Sequence, residues 1–198
     1  INVVMGRHAG FLTAAAALGR TRPDSGPHLI YVPEVAFDEK KFVADVKKVY
    51  EKYGRCLIAV SEGISDKDHQ AIATKFIQET DSHGNFQLSG TGALGDYLAG
   101  LVKKHLGEGA RVRADTYGYL QRSFCGIYSE VDAEEARIVG ELAVANAVTG
   151  ATSGTISMIR KKGKKYEIDY KLNPLSTVAR NTSSLPRKFL NKDGNNVT

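Results

Sequence analysis

Val3-Val4-Met5-Gly6-Arg7-His8-Ala9-Gly10-Phe11-Leu12 is the stretch on which the rest of the chain is organised. Two β-branched residues run into Met-Gly-Arg, and four consecutive alanines, Ala14 to Ala17, follow. The pattern reads as a strand, a glycine turn and a helix over 11–18. A glycine at such a turn lets the backbone approach a ligand closely. The N–H groups and dipole of a helix start favour an anion there. Arg7 adds a guanidinium fork that matches phosphate or carboxylate oxygens. The same pattern also fits an ordinary strand-to-helix turn with a surface arginine, so the neighbouring segments have to decide.

Leu29-Ile30-Tyr31-Val32 and Cys56-Leu57-Ile58-Ala59-Val60 are short, wholly apolar runs. They read as strands buried on both faces of a parallel sheet. Between them, residues 38–53 carry Phe42, Val46, Val49, Tyr50 and Tyr53 at helical spacing, with Asp38 placed to cap the start and Gly54 to end the helix. The order βαβαβ predicts right-handed crossovers and a sheet covered on both faces. The two runs end at Pro33-Glu34 and Ser61-Glu62-Gly63. Ligands of α/β sheets bind beyond the carboxyl ends of strands, so Glu34 and Glu62 join Arg7 as candidates. Each also reads as a solvated loop acid.

Further on, residues 66–79 have some helical character and 81–92 read as an exposed loop. Residues 93–106 form a clear helix. Arg111-Val112-Arg113-Ala114-Asp115-Thr116 alternates with period two and predicts a strand. It leads into Tyr117-Gly118-Tyr119-Leu120-Gln121-Arg122-Ser123-Phe124, where a phenol, an amide and a guanidinium crowd another strand end, groups suited to a phosphorylated, polyhydroxylated ligand. Residues 132–148 predict a long helix with Ala136, Val139, Ala143 and Ala147 along one stripe. Thr155-Ile156-Ser157-Met158-Ile159 and Tyr166-Glu167-Ile168-Asp169-Tyr170 flank a basic turn as a hairpin. Residues 175–179 predict a short helix and 180–198 a polar tail over the surface. The fold class is therefore α/β: a Rossmann-like, mostly parallel sheet with helices on both faces, plus a C-terminal basic β-hairpin.

Composition narrows the function classes. The 198 residues are 42% hydrophobic and 25% charged, as in a soluble globular protein. No run approaches the length of a membrane span, and no secretory or transit pattern is visible. Cys56 and Cys125 suit a reduced, cytoplasmic setting. His28, His69, His83 and His105 share no ligand spacing, so no protein metal site is predicted. The net charge of +5 is uneven: residues 160–198 hold ten Lys/Arg against three Asp/Glu, leaving seventeen against nineteen before them. Arg160-Lys161-Lys162-Gly163-Lys164-Lys165 could bind nucleic acid, but the flanking strand pattern favours a solvated hairpin tip. Neither GxxxxGK[ST] nor GxGxxG occurs.

Taken in order, these pieces resemble the carboxyl-terminal half of phosphofructokinases. Met5-Gly6-Arg7 is similar to that family's sugar-phosphate motif, Pro33-Glu34 follows at the right distance, and Gly118-Tyr119-Leu120-Gln121-Arg122 resembles its Gly-His-Ile-Gln-Arg segment. The resemblance spans about residues 1–180 and implies a site for fructose 6-phosphate. Met5, Gly6 and Arg7 would contact the sugar phosphate and Glu34 would accept from its hydroxyls. Arg122 would hold the 6-phosphate with Tyr119 in the histidine position, and Arg113 would reach the same phosphate, in this chain or a neighbouring subunit. Residues 181–198 are left as a surface tail.

Three departures matter. Tyr119 replaces histidine, Ser123-Phe124 replaces a glycine pair, and the stretch 65–109 is longer than in short ATP-dependent enzymes. The extra length and Leu185-Pro186-Arg187-Lys188-Phe189-Leu190 look more like the pyrophosphate-dependent branch. The family's amino-terminal half, with its donor loops, the motif that helps hold Mg²⁺ and the catalytic base, is not in this sequence. The resemblance therefore implies a piece of a longer enzyme that uses pyrophosphate or ATP, a homodimer or homotetramer, with no nucleic-acid or membrane partner. No catalytic residue is expected in this chain. A non-catalytic regulatory subunit that binds sugar phosphate is the other reading.

Overall fold

Strands β1 (Asn2–Val4), β2 (Leu29–Tyr31), β3 (Ile58–Ser61) and β4 (Asp115–Thr116) form one sheet in the order β2-β3-β1-β4, every neighbouring pair parallel. The computed structural model describes residues 1–76, 92–107, 109–150 and 153–198. These divide into two units, residues 1–123 with 183–198, and residues 124–182.

The apolar runs are buried on both sides, as an interior parallel strand requires. Leu29 and Tyr31 face a cluster with Phe42, Val46, Val60, Leu94, Leu98 and Val102. Ile30, Val32 and Ala59 face a second cluster with Leu185 and Leu190, against which Ala14, Ala16 and Ala17 pack. Helices α2 (Glu39–Tyr53) and α3 (Ala93–Leu106) thus cover one face, and α1 (Phe11–Ala15) covers the other. The chain steps from β1 to β2 in one direction across the sheet and from β2 through β3 to β4 in the other. Right-handed crossovers then demand opposite faces, which is what the clusters show.

Local signals set the helix ends. The Asp38 carboxylate accepts from Lys41 N–H at 2.8 Å, and Gly54 stops α2 in a left-handed conformation at φ 66°. α1 is shorter than expected: its alanines tighten into a 3₁₀ turn over Ala16–Gly19. The predicted helix over 66–79 reduces to a 3₁₀ turn at Ile72–Lys75. Residues 77–91, including most of the expected loop and His83, lie outside the described residues.

Two expectations need correction. The strand expected over 111–116 is only Asp115–Thr116, because β4 is an edge strand and pairs with just Asn2 and Val3 of the three-residue β1. Most of the expected surface tail is built into the first unit: Leu185 and Leu190 are buried, and Ile30 N–H donates to Asn195 O at 2.9 Å. The tail's polarity hid two anchoring leucines and a backbone bond that covers the outer edge of β2.

In the second unit, α5 (Glu130–Val148) follows the short α4 (Leu120–Ser123) of the first unit, and Ser129 caps its start by accepting from Asp132 N–H at 3.2 Å. Its expected stripe is displaced: Ala136, Ala143 and Ala147 are exposed, whereas Ile138, Val139 and Leu142 are half-buried. β5 (Gly154–Arg160) and β6 (Ile168–Pro174) form the antiparallel hairpin, continued by α6 (Leu175–Val178). At its basic tip Lys161 pairs with Asp169 at 3.0 Å, and Arg160 lies 4.4 Å from the Tyr166 ring centre.

Candidate functional site

The sheet reverses its winding beside β1, because the chain leaves β1 toward β2 and leaves β3 toward β4. A crevice at such a switch point is where open α/β sheets place ligands. The turn after β1 carries Met5, Gly6 and Arg7, and the turn after β3 carries Ser61, Glu62 and Gly63.

These two turns are locked together by buried polar groups. Gly6 sits at φ 143°, a conformation that side chains rarely adopt. Its N–H donates to Glu62 Oε1 at 3.3 Å, and the Ser61 hydroxyl donates to Gly6 O at 2.5 Å. Glu62 is 5% exposed and Ser61 is fully buried. Glu62 N–H in turn donates to Val4 O at 2.9 Å. Gly63 lies so close under Arg7 that a Cβ there would overlap the Arg7 carbonyl.

A third turn joins from beyond β4. Tyr117 N–H donates to Val3 O at 3.1 Å, and Gly118 turns at φ 50°. Gln121 then presents Oε1 to Met5 N–H at 3.0 Å. This single bond spans 116 positions and brings α4, with Tyr119 before it and Arg122 on it, to the Met5-Gly6-Arg7 turn. Tyr119 is 66% exposed and Arg122 is exposed, so both side chains are open to solvent.

Glu34 also reaches this region. Its Oε1 accepts Gly10 N–H at 3.0 Å and Leu185 N–H at 2.7 Å, while Oε2 is buried with no partner among the described residues. The sequence predicted an anion at the start of α1. The structure supplies one from within, because the Glu34 carboxylate itself satisfies the Gly10 amide.

Arg113 stands apart. Ile1 N donates to its carbonyl at 2.8 Å, and the residue lines a cavity of about 330 Å³ with Cys56, Tyr50 and Arg111. That cavity lies at the amino ends of the strands. Four residues of extended chain, about 13 Å, separate Arg113 from Tyr117 at the other end. Of the seven expected site residues, Met5, Gly6, Arg7, Glu34, Tyr119 and Arg122 share the carboxyl end, and Arg113 does not join them within one chain. Residues missed as structural parts of the site are Ser61, Gly10 and Gly63; only the position of Ser61-Glu62-Gly63 after an apolar run could have pointed to them.

The turn after β1 thus carries a close-approach glycine and Arg7, and the segment tied to it by Gln121 carries Arg122; guanidiniums and a glycine backbone are groups that suit an anion. Among the described residues, no three His, Cys, Asp or Glu side chains gather to hold a metal ion.

Comparison with known proteins bears on the family and the fold. The model of the phosphofructokinase family matches residues 1–148. The chain is 56% identical over 200 aligned residues to the pyrophosphate–fructose 6-phosphate 1-phosphotransferase of Rhodospirillum rubrum, covering all of this chain and 49% of that protein. It is 38% identical to the enzyme of the same name from Xanthomonas campestris, over 98% of this chain and 45% of the other. A crystal structure of the pyrophosphate-dependent phosphofructokinase from Marinobacter aquaeolei superposes with TM-score 0.76 at 29% identity, over 100% of this chain and 44% of the other. The chain thus spans about half the length of the curated relatives it matches.

Proposed function

The chain belongs to the phosphofructokinase family, and on that premise we propose that it is the acceptor-binding part of a longer enzyme. That enzyme would transfer a phosphoryl group from pyrophosphate to the 1-hydroxyl of fructose 6-phosphate. The observation that carries this reading is the Gln121–Met5 bond, which joins the Arg122 segment to the Gly6-Arg7 turn at the switch point of the sheet. Two guanidiniums and a glycine backbone at one crevice suit a dianionic sugar phosphate.

Arg7 and Arg122 would neutralise the 6-phosphate. Gly6 would let the sugar approach the backbone, and Met5, Glu34 and Tyr119 would line the sugar's side. Arg113, at the far end of the sheet, would serve the site of a neighbouring copy, which makes a homo-oligomer part of the reading. The choice of pyrophosphate over ATP is supported by the names of the relatives at 56% and 38% identity. Phosphoryl transfer depends on positioning and charge neutralisation; this chain would supply the acceptor half of both. Mg²⁺ and the donor would be held mainly by the remaining half of the longer protein, and the 198-residue chain alone is expected to bind without turnover.

The test is calorimetric titration of the purified chain with fructose 6-phosphate beside an Arg122→Ala variant. Removing one guanidinium from a phosphate is expected to weaken binding by about 10- to 100-fold. Equal binding by the variant, or no binding by a folded chain, would remove the acceptor site from these residues.

A further inference from the structure

The turn that carries Gly6 has to be held from outside. Glycine has the widest backbone freedom of any residue, so its φ of 143° depends on what grips the peptides around it. Three distant side chains do so, one peptide each. Gln121 Oε1 takes the Met5 N–H, Glu62 Oε1 takes the Gly6 N–H, and the Ser61 hydroxyl donates to Gly6 O at 2.5 Å. The last of these peptides leads directly into Arg7.

Ser61 is fully buried at the end of β3, so a ligand in the crevice does not touch it. Its hydroxyl is used twice. The Gly6 carbonyl cannot donate, so the single proton goes there, and a lone pair accepts Gly63 N–H at 3.3 Å. Gly63 is in turn pressed against Arg7, where a Cβ would lie 1.9 Å from the carbonyl oxygen. One hydroxyl therefore joins the peptide before Arg7 to the glycine that packs against it. Without that hydroxyl, Gly6 O and the buried Gly63 N–H both lose this partner, and an unmet buried group costs its full desolvation.

We infer that Ser61 is a positioning residue: its hydroxyl fixes the Gly6–Arg7 peptide, and with it the direction from which the Arg7 side chain starts. Ser61 acts on a ligand through Gly6 and Arg7, not by contact. The effect on binding rests on reading this turn as the acceptor-phosphate site; the hold on the peptide does not.

Two variants of the 198-residue chain, nearly equal in volume, separate the hydroxyl from packing. Ser61→Thr keeps the hydroxyl and Ser61→Val replaces it by a methyl; both are β-branched, as suits a strand end. In calorimetric titration with fructose 6-phosphate, Ser61→Val is expected to bind about tenfold or more weakly than Ser61→Thr. Equal affinity of the two, strong or weak, overturns the assignment. Amide exchange followed by NMR reads the hold itself. Gly63 N–H should exchange about tenfold faster in Ser61→Val than in Ser61→Thr, while the Glu62 amide, which donates to Val4 O, stays protected in both. Equal exchange at Gly63 overturns the assignment as well. If the unaltered chain binds no fructose 6-phosphate, the acceptor-site reading fails, and the Gly63 comparison decides the role of Ser61. If the added methyl keeps either variant from folding, Ser61→Ala is titrated beside Asp38→Ala, which loses only a helix cap away from the turn. A tenfold deficit of Ser61→Ala against Asp38→Ala supports positioning, and equal affinity overturns it.

Discussion

Residues 1–123 with 183–198 carry a sheet whose two faces are each closed by packed side chains, with Phe42, Ile30, Val60 and Leu98 fully buried. Residues 124–182 carry a 19-residue helix and a hairpin of seven-residue strands, yet no described side chain there is buried. Ile127 is 84% exposed and Val148 81% exposed, and Tyr128, Val144 and Met158 are also open to solvent. Both units have well-formed secondary structure, so the difference lies in tertiary burial. Hydrogen-bonded helices and hairpins form locally, but a stable unit needs apolar area removed from water. The first unit has that area within this chain.

Core truncations test that contrast most strongly. Phe42→Ala removes a fully buried ring that packs against Tyr31 and Phe37. It is expected to cost about 3–5 kcal/mol in denaturant unfolding. Ile127→Ala and Val144→Ala should each stay within about 0.5 kcal/mol. A cost of several kcal/mol at Ile127 would show that the second unit is covered in solution by a second copy, and the contrast would collapse.

Gly10 gives a smaller effect confined to the first unit. Gly10→Ala inserts a methyl against Val32 and Glu34 and is expected to cost about 1–3 kcal/mol through overpacking. Because the strain falls on the turn after β1, affinity for sugar phosphate should drop with it. Gly140→Ala, in the middle of α5 with open space at its Cβ, should instead stabilise its helix by a few tenths to about 1 kcal/mol. Urea titration of both variants checks the opposite signs.

Capping chemistry sharpens the contrast further, since both units use the same device. Asp38 caps α2 and Ser129 caps α5, each through the N3 amide. Asp38→Ala is expected to lower global stability by about 1 kcal/mol. Ser129→Ala should leave the main transition in place and show only as faster amide exchange at the start of α5. A shift of the main transition by Ser129→Ala would mean that the two units unfold as one.

The same division explains what could be read from the sequence. The two apolar runs, the stripe of α2 and its caps Asp38 and Gly54 are local patterns, and each is found within a residue or two of where it was expected. The turn at Gly6 and Arg7 was legible as a turn because a strand and a helix flank it. The bonds that assemble the site were not, since Gln121–Met5 and Glu34–Leu185 join residues 116 and 151 positions apart and leave no periodic trace. Arg113 shows a different limit: it was read as a candidate beside Arg122, but a two-residue strand separates it from Tyr117 and places it at the opposite end of the sheet. In α5 the alanine stripe misled because a helix with apolar residues on several sides does not announce which side is covered.

The smallest expected effect concerns the two cysteines, one in each unit. Cys56 packs against the first core, and burial pushes its thiol up to about 12. Cys125 is exposed. Iodoacetamide at pH 8 should therefore label Cys125 and leave Cys56 unmodified until the first unit unfolds. The raised folded-state value also fixes a sign for stability. An unfolded Cys56 loses its proton near 8.5, whereas the folded one keeps it to about 12, so the unfolded state binds fewer protons in between. The contribution is fully present below about pH 8.5 and is lost as pH rises toward 12. Tyr31 acts in the same direction, because burial raises its phenol as well, but its loss begins only near 10, the value of an unfolded tyrosine. Cys56→Ala should flatten the decline that starts near 8.5 and Tyr31→Phe the one that starts near 10, whatever either does to stability at neutral pH. If the decline from 8.5 persists in Cys56→Ala, the thiol is open to water, and the wall of the first core beneath Ile1 and Ile58 is looser than its packing indicates.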